Sequence, residues 1–378
     1  MMINMYKIIQ DTINGPIKID GIYSDIIDSP YFQRLRYIKQ LGLCYLVFPG
    51  ANHTRFEHSI GTMFMAREIS GTLKIDDERL QLAALLHDIG HPPLSHGIEE
   101  VFYDLYKTKH EDLTLKIIKG EKPYEDSSIP DILKKYGYDP DEIGKIAIGE
   151  SKKNSLLSNI ISGSIDVDEI DYLRRDAFFC GVTIGNIDYK RIFNTVKIEN
   201  NKIVGEEKSI TNIESAIITR ILMYNSVYFH KTCRIAQKMF GYAYYDSDDR
   251  NIDDLKLNDF ELINKLLNGK SKNMVKNILK RNLYKTAYSS YYNMDNYSMI
   301  LNKLNGLNKF DYIMDIIPPL YFGGKERVKN YIEVYYDNKK YKIDEISHLV
   351  KSLQGEVEKR KMIISANNNA YSYIKNIV

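Results

Sequence analysis

Leu85-Leu86-His87-Asp88-Ile89-Gly90-His91-Pro92-Pro93-Leu94-Ser95-His96 is the stretch whose reading decides the fold. An apolar run with helical character, Leu80 to Leu86, ends on two adjacent residues able to ligate a divalent cation. Mid-helix, such neighbours point about 100° apart, but at a helix end they can converge on an ion lying beyond it. Gly90 stops the helix and two more histidines follow at once. Packing explains an ionisable dipeptide there poorly. The stretch predicts a metal held at a helix end in a mainly α fold, and metal-assisted hydrolysis.

Histidine and carboxylate donors without cysteine suit Mn, Fe, Ni, Zn or Mg and argue against a structural zinc site. A hydrolytic ion needs further protein ligands and open positions. His58 and Asp168 are the candidates, each in the first turn of its own predicted helix. Thr54 and Glu57 form a Thr-x-x-Glu capping box, so the His58 helix starts near Arg55 and runs to about Ser70. The second helix spans Asp168 to Phe179, with Asp168, Tyr172 and Asp176 on one face and Ile170, Leu173 and Ala177 toward another. Helix N-termini beside the ion favour an anionic substrate. His91 and His96 read either as loop-capping donors or as phosphate contacts and acid–base groups.

Working outward, Asn14-Gly15-Pro16 marks a turn between short β-like stretches within Tyr6–Asp20. Ser29-Pro30 opens a helix that Gly42 ends. Ile192–Val204, broken at Asn200-Asn201, and Val334–Ile343, around Asp337-Asn338, read as hairpins. Ile210–Phe240 reads as one long helical stretch with Arg220, Tyr224 and Tyr228 at i, i+4 spacing, and Asp246–Lys285 as short helices between polar loops. The expected division is a helical core over 1–235 and a mixed α/β C-terminal lobe over 236–378, serving as an interface or a lid.

A formal net charge of +2, with lysines interleaved among acids, gives no electrostatic case for nucleic acid or anionic lipid. Cys44, Cys180 and Cys233 are isolated and fit buried free thiols in a reducing cytosol. No apolar stretch is long enough to span a bilayer, and no secretory h-region opens the chain. A cytoplasmic protein with no membrane partner is expected.

His58, His87-Asp88 and Asp168 follow the H…HD…D pattern of the HD-domain phosphohydrolase superfamily. Phe32-Gln33-Arg34-Leu35-Arg36-Tyr37-Ile38-Lys39-Gln40-Leu41-Gly42, Val47-Phe48-Pro49-Gly50-Ala51, Arg55-Phe56-Glu57-His58-Ser59-Ile60-Gly61 and Asp166-Val167-Asp168-Glu169-Ile170-Asp171-Tyr172 resemble its deoxynucleoside triphosphate triphosphohydrolase (dGTPase-like) branch. The resemblance covers about residues 6–235.

It implies an HD-domain helical core, a divalent metal held by His58, His87, Asp88 and Asp168, a nucleotide substrate and a homo-oligomer. It implies that Arg55 contacts a phosphate, that His91, His96 and His110 line the phosphate region, and that His96 or His110 protonates the leaving oxygen. Gln40 and Leu41 would sit against the sugar, with Tyr172 and Asp176 near its 3′-hydroxyl. Arg220, Tyr228 and His230-Lys231 resemble the segment that reaches phosphates and base. The implied reaction is hydrolysis of deoxynucleoside triphosphates to deoxynucleoside and tripolyphosphate; the alternative is a phosphomonoesterase or phosphodiesterase.

Two departures stand out. Where the branch often has a phosphate-contacting Lys beside the metal-binding Asp, this chain has Glu169. Asp28, Gln33 and Arg36 match the guanine-reading residues of a regulatory nucleotide site in vertebrate members, but the positions matching its phosphate-gripping arginines are Thr195 and Glu206, with only Lys208 basic. The same activation is not expected, and Asp28 is expected to pair with Arg36.

Overall fold

The computed structural model describes residues 6–124, 127–319, 332–357 and 359–377 and is mainly helical, with three small sheets. Its strands are β1 (Lys7–Asp11), β2 (Gly15–Ile19), β3 (Val196–Glu199), β4 (Lys202–Gly205), β5 (Lys285–Tyr291), β6 (Tyr312–Ile316), β7 (Glu333–Tyr336), β8 (Lys339–Lys342) and β9 (Lys361–Ala366). The helices that build the centre are Arg55–Leu73 (the His58 helix), Arg79–Leu86, His110–Lys119 and Val167–Cys180 (the Asp168 helix). Arg79–Leu86 buries every residue from Leu82 to Leu86, as a helix apolar all round must. Removing one of those leucine side chains to Ala would cost about 2–5 kcal/mol. That helix therefore delivers His87 and Asp88 from an anchored base. The Thr54–Glu57 capping box starts the His58 helix as expected, and the Asp166 side chain accepts the Glu169 N–H to start the Asp168 helix.

The hairpins are present with adjustments. β1 and β2 pair antiparallel across a turn at Asp11–Gly15. β3 begins only at Val196; Ile192 lies in a one-turn helix, Tyr189–Phe193, because the Asp188 side chain caps Arg191 N–H and Ile192 and Phe193 turn into the core. Asn200 and Asn201 take the left-handed conformations of a two-residue hairpin turn, as do Asp337 and Asn338 between β7 and β8. β7 adds to β4 in parallel, giving the order β3-β4-β7-β8.

The stretch Ile210–Phe240 is not one helix. Ile210–Met223 runs into a π turn, Tyr224–Tyr228, breaks at Phe229-His230, and resumes as Lys231–Tyr245. Apolar spacing does not register such a slip, and π turns gather where side chains are aimed at a site. Residue 235, the expected division, lies inside the last of these helices. The main core continues past it through Leu255, Leu262, Leu266, Val275 and Ile278. A separate small core forms where Met294–Lys303 and Asn368–Ile377 pack on the β5-β9-β6 sheet, around Ile300, Leu304, Met362, Ile364 and Ile374. Cys44 and Cys233 are buried thiols, but Cys180 is half-buried.

Candidate metal centre

Four side chains from three helices meet beyond the end of Arg79–Leu86. His58 Nε2 lies 2.9 Å from Asp168 Oδ1 and 3.5 Å from Asp88 Oδ2. His87 Nε2 lies 3.3 Å from Asp88 Oδ1 and 3.4 Å from Asp168 Oδ1. Donors about 2.1 Å from one ion stand about 3 Å apart as neighbours, so these spacings suit a shared cation. Both imidazoles are oriented from behind. His87 Nδ1 donates to the Ala84 carbonyl at 2.8 Å, and His58 Nδ1 faces Asp171 Oδ2 at 2.9 Å. That fixes the tautomer whose Nε2 lone pair points into the cluster, and both Nε2 atoms are buried without a hydrogen-bond partner.

Burial works against a charge on His58, but Asp168 and Asp171 outweigh it and push its imidazole up to about 10. The proton so favoured stands where a cation would stand. Burial likewise opposes ionisation of Asp88, yet Arg55 and His87 hold it well below the usual carboxylate range. Asp168 is depressed too, because His87 and His58 outweigh its desolvation. Its side chain is 33% exposed, the most open of the four, so the cluster is reached from the Asp168 side.

The residues behind Asp171 escaped the sequence reading. Arg175, fully buried, donates to both oxygens of Asp171 at 2.8 and 2.9 Å and to Asp11 at 2.7 Å. Gly61 makes room for this pair: a Cβ there would lie 2.1 Å from Asp171 Oδ1 and 2.2 Å from Arg175 Nη2. The i, i+4 spacing of Asp171 and Arg175 was a usable signal.

A second group flanks the first. His91 stacks on His110 at 4.1 Å between centroids, with His96 edge-on at 4.8 Å from His91. Gly90 permits this closeness, since a Cβ would meet Thr114 N at 2.2 Å and His110 O at 2.6 Å. Glu99, also missed, holds both outer imidazoles: His110 Nδ1 at 2.5 Å and His96 Nδ1 at 2.6 Å. Its position three residues after His96, in the first turn of the helix Glu99–Tyr106, could have flagged it. Burial disfavours protonation of His110, but Glu99 outweighs that and raises it; His91, buried beside Arg55 and His110, is held well below its usual range. His96 is mostly exposed.

Arg55 is buried, donating to Asp88 at 2.5 Å, Ser95 Oγ at 3.0 Å and the Gln40 carbonyl at 3.4 Å. Gln40 and Leu41 lie beside it in a loop that Asp259 ties to the histidine loop. Asp259 Oδ2 accepts Lys39 N–H at 2.9 Å and Oδ1 accepts Leu94 N–H at 2.6 Å. Burial outweighs those contacts and pushes its carboxyl up to about 6. Further along the Asp168 helix, Asp176 accepts the Tyr228 hydroxyl at 2.7 Å and meets His53 Nε2 at 2.6 Å. The Tyr172 ring lies 6.5 Å from His58 and 6.0 Å from Tyr228. His230 packs edge-on to Phe48 at 5.6 Å, and Lys231 is exposed.

Residues 55–176 match the family model described as HD domain, and 187–310 the one described as HD associated region. The deoxynucleoside triphosphate triphosphohydrolase SAMHD1 of Bos taurus is 30% identical over 97% of this chain and 67% of that protein. The chain belongs to the HD-domain phosphohydrolase superfamily. Within it, the likeness is to the deoxynucleoside triphosphate triphosphohydrolase branch. An uncharacterized protein of Methanocaldococcus jannaschii is 39% identical over 76% of this chain and 61% of its own length. The structure of a hypothetical protein from Aquifex aeolicus superimposes with a TM-score of 0.83 at 33% identity, over 99% of this chain and 100% of that one. A phosphohydrolase from Bacteroides thetaiotaomicron gives 0.75 at 26%, over 96% and 100%. The chain spans from about half to two thirds of the length of the curated relatives it matches.

Two features of this HD-domain chain bear on its departures from the branch. Glu169 is paired with Arg220 at 2.9 Å, so the cation expected to reach a phosphate is already partnered by a carboxylate. Asp28 does not pair with Arg36: Asp28 binds Lys7, while Arg36 donates to Gln33 at 2.8 Å and lies 3.5 Å over the Phe56 ring. The flat guanidinium gains more on an aromatic face than across solvent. Among the described residues no helix is long and apolar enough to cross a membrane.

Proposed function

We propose that this protein is a metal-dependent phosphohydrolase cleaving deoxynucleoside triphosphates to deoxynucleoside and tripolyphosphate. The observation that carries the reading is the convergence of His58, His87, Asp88 and Asp168, with two Nε2 lone pairs aimed at one point. Those four would hold the ion, and a divalent cation bound there supplies Lewis acidity that activates water and polarises a phosphoryl oxygen.

The chain's own groups do the rest. Glu99 raises the proton affinity of His110, which suits it to protonate the departing 5′-oxygen. His96, held by the same carboxylate, is the more exposed alternative donor. Neutral His91 and cationic Arg55 face the charge that develops on the transferred group. Tyr172 and Asp176 bind the sugar, with Gln40 and Leu41 packed against it. Arg220, Tyr228, His230 and Lys231 serve the outer phosphates and base. Assembly as a homo-oligomer in the cytoplasm accompanies this reading.

The test uses metal-stripped protein reloaded separately with Mn, Mg, Fe, Ni or Zn and given deoxy- and ribonucleoside tri- and monophosphates. Deoxynucleoside plus tripolyphosphate, absent with His87→Ala, is the expected result. Intact triphosphates with cleaved monophosphates would replace it by a second reading, a phosphomonoesterase or phosphodiesterase. The Glu169–Arg220 pair favours that reading, because it cancels one positive charge that a triphosphate would use.

A further inference from the structure

We infer that the turn of the N-terminal hairpin belongs to the metal-holding machinery: Asp11, acting through Arg175 and Asp171, orients His58 and biases it toward a cation. The inference rests on His58 being a metal ligand. It makes Asp11, Asp171 and Arg175 positioning residues, since none of them lies among the four converging ligands.

The geometry is a chain of charge. His58 Nδ1 meets Asp171 Oδ2 at 2.9 Å; Arg175 Nε meets the same oxygen at 2.8 Å; Arg175 Nη1 meets Asp11 Oδ2 at 2.7 Å. Asn14, from the same turn, donates to Asp171 Oδ1 at 3.4 Å. Asp11 also accepts the backbone N–H groups of Ile13 at 3.1 Å and Asn14 at 2.7 Å, so its carboxylate is fixed by the turn it shapes. A carboxylate holding two guanidinium donors can only accept from His58, and the imidazole proton must sit on Nδ1.

A purely structural staple explains less. One buried Arg needs one carboxylate for neutrality, yet Arg175 sits between two, each nearly or fully buried. The half-buried Arg174 reaches the group only through Asn14 Oδ1, at 3.1 Å. The surplus negative charge is costly in the interior unless a cation answers it. His58, hydrogen-bonded to Asp171, is the group through which that cation is felt.

The experiment measures Co2+ affinity of the full chain by competition with a chromophoric chelator, together with the visible Co2+ spectrum and thermal unfolding of the metal-free protein. Asp171→Asn should weaken Co2+ binding roughly 10–100-fold, the size seen for groups directly behind metal ligands, and Asp11→Asn, one group further back, by less, roughly 3–10-fold. The Asp11→Asn spectrum should keep its shape, because the ligands are unchanged. Thr12→Ala, in the same turn but exposed, should change nothing. Folded Asp11→Asn and Asp171→Asn proteins that bind Co2+ within twofold of the parent, with only the metal-free unfolding temperature lowered, would reduce the clamp to a structural staple and overturn the inference. If Asp171→Asn does not fold, Asp11→Asn decides. His58→Ala separates the two levels: lost Co2+ binding there beside unaffected clamp variants removes the clamp alone, whereas unaffected binding in His58→Ala removes the metal site and the clamp with it.

Discussion

The two ends of the site are held in different ways. At the metal end three of the four candidate ligands have a fixed partner behind them: Asp171 for His58, the Ala84 carbonyl for His87, Arg55 for Asp88. At the far end the groups hang on a π turn and a helix break, and Arg220 is bound to Glu169. The contrast teaches where each kind of information is kept. On the proposed function, the reaction type would reside in the over-determined end, and substrate choice in the end whose backbone is least regular.

The largest effect should come from breaking the rigid end. His87→Ala or Asp88→Ala should strip bound metal and lower kcat by on the order of a thousandfold or more, since Lewis-acid stabilisation contributes several kcal/mol; metal content and steady-state kinetics check this, with helical circular dichroism largely retained. Next comes the flanking histidine group. His110→Asn should cost about 100-fold or more in kcat. In the parent, Glu99 lifts His110, so activity that needs its proton persists to higher pH and falls as pH rises through the raised value. Glu99→Gln should slide that alkaline limb to lower pH, and a pH–rate profile in which the limb stays put would take the acid role away from His110.

Effects at the far end should be smaller and should fall on binding. Glu169→Lys frees Arg220 and adds a cation, lowering KM for triphosphates by about tenfold, or about 1.4 kcal/mol, with kcat little changed. No change for triphosphates, with monophosphates still preferred, would assign substrate choice to the second reading. Smallest of all, Tyr228→Phe removes one donor from Asp176 and leaves His53 as its partner there; about 1 kcal/mol of unfolding free energy and a few-fold rise in KM are expected, read from urea denaturation and kinetics.

The same contrast explains what the sequence made legible. His87-Asp88 sits at the end of an apolar helix, His58 sits in a first turn marked by a capping box, and Asp168 shares a helical face with Tyr172 and Asp176, so period and capping signals point to all four. The helix carrying Arg220 was visible, but the π turn that holds Tyr224 and Tyr228 and the break at Phe229-His230 were not, because no Gly or Pro marks a one-residue slip in the hydrogen-bond ladder. Glu99 and Arg175 stood at readable spacings from His96 and Asp171. Asp11, His53 and Asp259 did not: each acts on residues more than a hundred positions away, and a lone acid or imidazole in a turn looks like any other. The absent Asp28–Arg36 pair failed for a related reason, since charge signs in a sequence do not show that an aromatic ring lies closer.

Asp259 changes how the molecule could be divided at the bench. A recombinant fragment ending at residue 235 would contain all four converging ligands and every flanking histidine. It would also lack the carboxylate that receives the part-buried Lys39 amide and the buried Leu94 amide, leaving both without that acceptor in the loops that carry Gln40 and the histidines. A fragment that keeps the candidate ligands in place therefore has to extend past residue 259, beyond the cut helix Lys231–Tyr245 and into the core built by Leu255 and Leu262.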